Sequence, residues 1–162
     1  MKTTIGFIAL VFSALAGPAL AQNCENGWNF AIDGGFEADA PEAYSGCGSD
    51  HSVGVLCIGS AIMVTYSPPE NALTSDLNGG EYFPITMTVG DFVYADYVNF
   101  MGATGEFSFV RVAWDSYHPL FESLQSGSRI EVAMPDFNLF GSVSLSGSRG
   151  AIGQVLAECQ GN

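Results

Sequence analysis

The sequence predicts a mainly β domain, an antiparallel β-sandwich or flattened barrel, with a short helix in its last third and a closing C-terminal helix. Three observations predict it. Short runs of alternating or β-branched apolar residues recur along the chain, about seven or eight of them, punctuated by Gly, Pro and Asn pairs. The 20 glycines and 12 phenylalanines suit a fold with many turns and an aromatic core. Helical periodicity is confined to the end of the chain instead of alternating with strands, which argues against a parallel α/β sheet.

Taken in order, Trp28, Phe30 and Ile32 alternate with polar or small residues and mark a first strand from Gly27 to Asp33, ended by Gly34-Gly35. Phe36 to Gly48 reads as a loop with Pro41 and several acids. Ser52 to Ile58 and Ala61 to Tyr66 flank Gly59-Ser60 and read as a tight hairpin. Ser67-Pro68-Pro69 stops that hairpin, and Asn78-Gly79-Gly80 is the next turn. Tyr82 to Val89 and Phe92 to Asn99 are strands about Gly90-Asp91. Pro84 suits an edge, because it cannot donate to a ladder. Glu106 to Trp114 is apolar on both faces, as a central strand would be. Asp115-Ser116 offers a cap and Pro119 a first-turn proline for a helix through Gln125 that buries Leu120, Phe121 and Leu124. Arg129 to Met134 and Leu139 to Leu145 are the last strands, with Pro135-Asp136 between them. In the closing helix Ile152, Val155, Leu156 and Cys159 share one face, and Ser146 or Ser148 is placed to cap its start.

The chain begins with Met1-Lys2, an apolar run from Ile5 to Leu15, Gly17-Pro18 and Ala19-Leu20-Ala21 before Gln22. That order predicts a signal peptide over residues 1–21 and a single β-rich domain over residues 22–162. The apolar run is too short to span a bilayer, and no second one follows, so no transmembrane anchor is expected after cleavage. The residues before Cys24 are not the small-residue run of a lipidated cysteine. The expected location is therefore the periplasm or the exterior.

Seventeen acids face four basic residues, for a formal net charge of −13. The only lysine, Lys2, lies in the leader. Nucleic acid and anionic membrane surfaces are excluded as partners, because both need clustered cations. Four cysteines in an exported chain imply disulfides, and three pairings exist. Cys47–Cys57, closing a local loop, and Cys24–Cys159, tying the ends together, are the favoured set. The absence of any CxxC argues against zinc.

Phe109-Val110-Arg111-Val112, then Leu120 to Val132 with its Leu124-Gln125-Ser126-Gly127, then Phe140 to Ser148 and the helix to Cys159, form a recurring order. A short helix ends in L-x-x-G, a strand follows, a second strand ends in Ser144-Leu145-Ser146-Gly147-Ser148, and a helix ends in cysteine. The last third of the chain resembles small exported proteins of alphaproteobacteria, including those related to the invasion-associated locus B family. The resemblance implies a periplasmic or secreted β-rich domain with structural disulfides. Leu145, Gly147 and Cys159 match its pattern as structural positions, and it carries over no catalytic residue.

Catalytic chemistry has little to stand on. His51 and His118 are the only histidines. Ser49, Asp50 and His51 are adjacent in sequence, which hinders the convergence a triad needs, and there is no G-x-S-x-G elbow. Asp33, Glu37 and Asp39 supply oxygen ligands without the spacing of a calcium loop, so they read as a solvated acidic loop. Arg111 sits mid-strand among phenylalanines, placed to pair with an acid or stack on a ring. Tyr94, Tyr97 and Trp114, with Arg111, are the candidate partner contacts. The sequence thus predicts an exported, non-catalytic interaction module with no cofactor or metal, contacting a protein of the cell envelope. The alternatives are an extracytoplasmic hydrolase and a cation-binding module.

Overall fold

A computed structural model of the chain describes residues 27–32, 40–45, 51–58, 61–69, 72–73, 77–101, 106–113 and 118–160, with backbone alone for 106, 108–113 and 160. Among the described residues nine strands are found: β1 (Trp28–Ala31), β2 (Glu42–Ser45), β3 (Ser52–Ile58), β4 (Ala61–Ser67), β5 (Tyr82–Val89), β6 (Phe92–Met101), β7 (Glu106–Ala113), β8 (Arg129–Met134) and β9 (Leu139–Ser144). Helix α1 (Pro119–Ser126) joins β7 to β8, and α2 (Ser148–Gln160) follows β9. All neighbouring strands pair antiparallel in the order β1-β2-β3-β4-β7-β6-β5-β8-β9.

The order has a simple origin. β5, β6 and β7 form a meander, and β8 returns through α1 to lie beside β5, which is a Greek key. Gly90, at φ 58°, supplies the left-handed residue of the two-residue β5–β6 turn, where Val89 faces Phe92. Phe109 has no partner of its own, because Val64 faces Val110 while Thr65 faces Ser108. That bulge bends the β4–β7 pair.

The sheet curls until its edges meet. The Trp28 backbone N–H donates to the Ser146 carbonyl at 3.3 Å, and the Trp28 indole Nε1–H donates to the Ser144 carbonyl at 2.9 Å. The first strand thereby touches the end of the last. Inside lies one core, with Val53, Val55, Val64 and Tyr66 from the first half of the sheet, and Ile85, Met87, Val98, Phe107, Ile130 and Val132 from the second. The result is a sandwich-like flattened barrel.

Helix α2 packs on β1, β2, β3 and α1. Ile152 and Val155 are fully buried, and Cys159 is bonded to Cys57 of β3. This corrects the expected pairing of Cys159 with Cys24 and of Cys57 with Cys47. The C-terminal helix packs across β1, β2 and β3, which brings its cysteine to Cys57 near the end of β3. Cys24 and Cys47 lie outside the described residues, as do the leader, the Asp33, Glu37 and Asp39 loop, and Asp115-Ser116.

Other expectations shift for local reasons. Glu42 to Ser45, read as loop, is a strand, because β1 and β3 pair with its backbone on both sides. Four residues with only two apolar side chains carry too little periodicity to announce that. β5 is interior, yet β8 pairs only with Thr86 to Thr88, so Pro84 lies beyond that ladder and forfeits no bond to it. The cap of α1 is His118, whose Nδ1 accepts the Leu120 N–H at 3.2 Å. Ser148 does not cap α2. Its buried hydroxyl donates to the Leu124 carbonyl at 2.6 Å and ties the end of α1 to the start of α2.

The Cys57–Cys159 bond spans 102 residues of sequence. A loop of that length is worth about 4–5 kcal/mol in the chain-entropy account. Cys159→Ser is therefore expected to lower the unfolding free energy by about 2–5 kcal/mol in urea melts, with α2 losing amide-exchange protection first. A non-reducing peptide map should yield the 57–159 cross-link. Melts unchanged by the substitution would show that the bond carries no stability.

Candidate functional site

The registers of β6, β5, β8 and β9 place a set of side chains on one outer face. Val93, Thr88, Glu131 and Ser142 form one cross-strand row, and Ala95, Thr86, Ala133 and Phe140 form the next. Tyr97 pairs with Pro84 and Asn99 with Tyr82 on the same face, which makes Tyr82 and Tyr97 diagonal neighbours within reach of each other. Alternation forces this arrangement, because the residues between them in each strand point to the opposite face.

Five large apolar residues are well exposed among the described ones: Ile32, Tyr82, Val93, Tyr97 and Phe140, at 57 to 67 %. Four of the five lie on this face. Scattered exposed apolar residues need no explanation, but clustering on one face does. An open depression of about 400 Å³ lies there, lined by Thr86, Thr88, Glu131, Phe140 and Ser142 among others. Arg129 and Glu131 are the charges this half-sheet carries outward on β8, and they offset each other. Arg129 donates to the Ser142 hydroxyl at 3.2 Å. At the rim, Asn99 holds a buried side-chain oxygen with no hydrogen-bond partner among the described residues.

The sheet's outer side is not open everywhere. Gly54, Leu56, Met63 and Thr65, which alternate with the core residues of β3 and β4, are all buried. Among the described strand residues, the large exposed apolar side chains therefore lie in the β6-β5-β8-β9 half.

A second polar cluster lies where β6 meets α1. The Tyr94 hydroxyl donates to Asp96 Oδ2 at 2.6 Å, and the Tyr97 backbone N–H donates to Asp96 Oδ1 at 2.7 Å. The Tyr94 bond first, and then the Tyr97 N–H, hold the Asp96 carboxyl below the usual range. Burial first, then Asp96, push the Tyr94 phenol well above its ordinary value. The His118 ring stands edge-on to Tyr94 at 5.4 Å and to Phe121 at 5.9 Å. With Nδ1 accepting the Leu120 N–H, neutral His118 carries its proton on Nε2. This cluster brings a histidine near an acid, as a hydrolase would. Its groups are committed, however: each Asp96 oxygen accepts a bond, and a lowered carboxyl is a poorer general base near neutrality.

His51 is structural. Its Nδ1 lies 2.6 Å from the hydroxyl of fully buried Tyr66, and the two rings stack with centroids 5.9 Å apart. Burial raises the Tyr66 phenol, so it stays protonated and keeps a hydrogen bond to offer. Across the interior, the His51 ring fills the place a side chain would take at Gly141 of β9. The contact joins the two halves of the sandwich.

Of the four predicted contacts, Tyr97 is on the open face and 65 % exposed. Tyr94 is half-buried on the opposite side of β6, in the Asp96 cluster, away from the other exposed aromatic residues. Arg111 lies in β7 opposite Met63, with its side chain outside the description, and Trp114 is outside it altogether. Tyr82, Val93 and Phe140 were missed. Strand alternation alone would have paired Tyr82 with the polar phase of β5, where a lone tyrosine looks ordinary. Only the register reveals its neighbours. Among the described residues no group of His, Cys, Asp and Glu is placed to hold a metal, and no helix is long and apolar enough to cross a membrane.

No protein-family model, curated protein or solved structure matches the chain.

Two outcomes test these assignments. Gly141→Ala should drive a methyl into the His51 ring and cost about 1–3 kcal/mol, and His51→Ala should recover part of that loss in the double variant. Strict additivity in melting experiments would refute the contact. For Asp96, a folded-state pKa below the unfolded one gives stability that is present above the usual carboxylate range. That stability disappears as pH falls through the lowered value. Asp96→Asn should therefore reduce stability near neutrality and flatten its decline below about pH 4. A variant whose acid melting profile runs parallel to the wild type would exclude this role.

Proposed function

We propose that the chain is an exported, non-catalytic binding module of the bacterial envelope, and that it binds through the outer face of β6, β5, β8 and β9. The observation that carries this reading is the gathering of Tyr82, Val93, Tyr97 and Phe140 on one otherwise small, hydroxyl-bearing face. Export is supported by the leader-like first 21 residues and by a disulfide, which persists in oxidising compartments. The resemblance to the invasion-associated locus B family agrees with it in kind: Leu145 is in the core, Gly147 has φ 88° and Cys159 is bridged, all structural roles.

The hydrolase alternative would rest on Asp96 and His118. It is the weaker reading, because their described bonds are those of a helix cap and of a local tether in the middle of β6, and the open depression lies elsewhere. A cation module would rest on the Asp33, Glu37 and Asp39 loop.

The test uses immobilised protein and the envelope fraction of its source. Tyr97→Ser with Phe140→Ser should keep the wild-type melting curve, since both side chains are exposed, and should lose about tenfold or more of the retained material, as removal of central aromatic contacts does. His118→Ala should leave retention unchanged. Equal retention by the double variant would sink the reading.

A further inference from the structure

We infer that the ligand of this face is a neutral oligosaccharide, an inference that rests on the face being the binding surface. Size is the first argument. For the described side chains, four strands at their usual spacing and six residue steps along β6 give a surface about 19 Å by about 20 Å, on the order of 400 Å². A stable protein partner or a second copy of the chain needs about 800 Å² on each side. The depression of about 400 Å³ falls in the range of small-molecule sites.

Chemistry is the second argument. The face presents ring surfaces at Tyr82, Tyr97 and Phe140, and side-chain hydroxyls at Thr86, Thr88 and Ser142. A sugar ring offers the complement: an apolar face of C–H groups for an aromatic ring, and equatorial hydroxyls for short polar side chains. Tyr97 and Phe140 stand on β6 and β9, three strand spacings apart, about 14 Å. The ligand is therefore a chain of several rings laid across the strands, with Phe140 and the tyrosines as end platforms and Thr86 beneath its middle.

Charge is the third. The protein carries a formal charge of −13, which repels anionic glycans and lipids at long range. The face itself has Glu131 offset by Arg129, so nothing on it selects a cation. Glu131 is placed as an acceptor for sugar hydroxyls, for which a carboxylate is stronger than a neutral oxygen.

The folded chain is tested against an array of uncharged and acidic oligosaccharides, with titration calorimetry on the hits. Uncharged chains of several rings should bind and acidic ones should not. Phe140→Ala and Tyr97→Ala should each weaken binding about tenfold, and Glu131→Gln should weaken it with the melting curve intact. Periodate oxidation of the envelope fraction should abolish retention. If no uncharged glycan binds, and periodate leaves a retention that still requires Tyr97 and Phe140, the face takes a protein and this inference falls while the binding surface stands. If retention ignores those residues, both fall. A concentration-dependent dimer in sedimentation, lost in the Tyr97→Ala and Phe140→Ala variants, would assign the face to a second copy.

Discussion

The meeting of Trp28 with the end of β9 ties together one corner of an antiparallel sheet whose two edge strands, β1 and β9, share no ladder. Each open edge presents unpaired backbone groups, a standing invitation to pair with another chain. Here the indole and backbone N–H groups of one residue occupy the carbonyls of Ser144 and Ser146. Once that corner is fixed, the sheet must curl, its two halves face each other, and a single core forms between them. The His51 ring over Gly141 is a consequence of the same curl, since β3 and β9 are far apart in strand order and meet only through the interior.

Helix α2 holds this geometry from the interior side of the first three strands, where its buried residues join the same core. It packs against the first three strands, its cysteine is bonded to β3, and its first turn is tied to α1 through Ser148 and the Leu124 carbonyl. Arg149 adds a bond from its Nε to the Gln125 carbonyl. The end of α1 thus finds partners for its exposed carbonyls in the neighbouring helix. The two helices and the disulfide act as one clasp, with α2 against β1–β3 and α1 against α2 and β6. Both helices bury their apolar sides in the core, while the outer face of the β6-β5-β8-β9 half stays exposed.

That division gives the molecule its functional asymmetry. Where strands are buried on both faces, as at Leu56 and Met63, side chains are apolar on both faces. Where the outer face is open, β5 and β8 alternate strictly, with Thr86 and Glu131 outward and Met87 and Val132 inward. The exposed aromatic residues of that open half have no packing duty. Their cost in exposed apolar surface is offset only when something covers them.

Most of the elements were legible in the sequence because periodicity and turn chemistry are local. The ranges of β3, β5 and β8, the buried side of α1 and the apolar face of α2 all follow from spacing within a few residues. β2 was not legible, because its four residues are held by neighbours on both sides and not by their own pattern. Residue composition, charge and cysteine count by themselves determined a β-rich, acidic, disulfide-bearing chain. The partner of Cys57, the structural duty of His51, the withdrawal of Tyr94 into a polar cluster and the assembly of Tyr82, Tyr97 and Phe140 on one surface were decided only by tertiary structure. Each depends on strand order and register, and these bring together residues tens of positions apart that no local pattern connects.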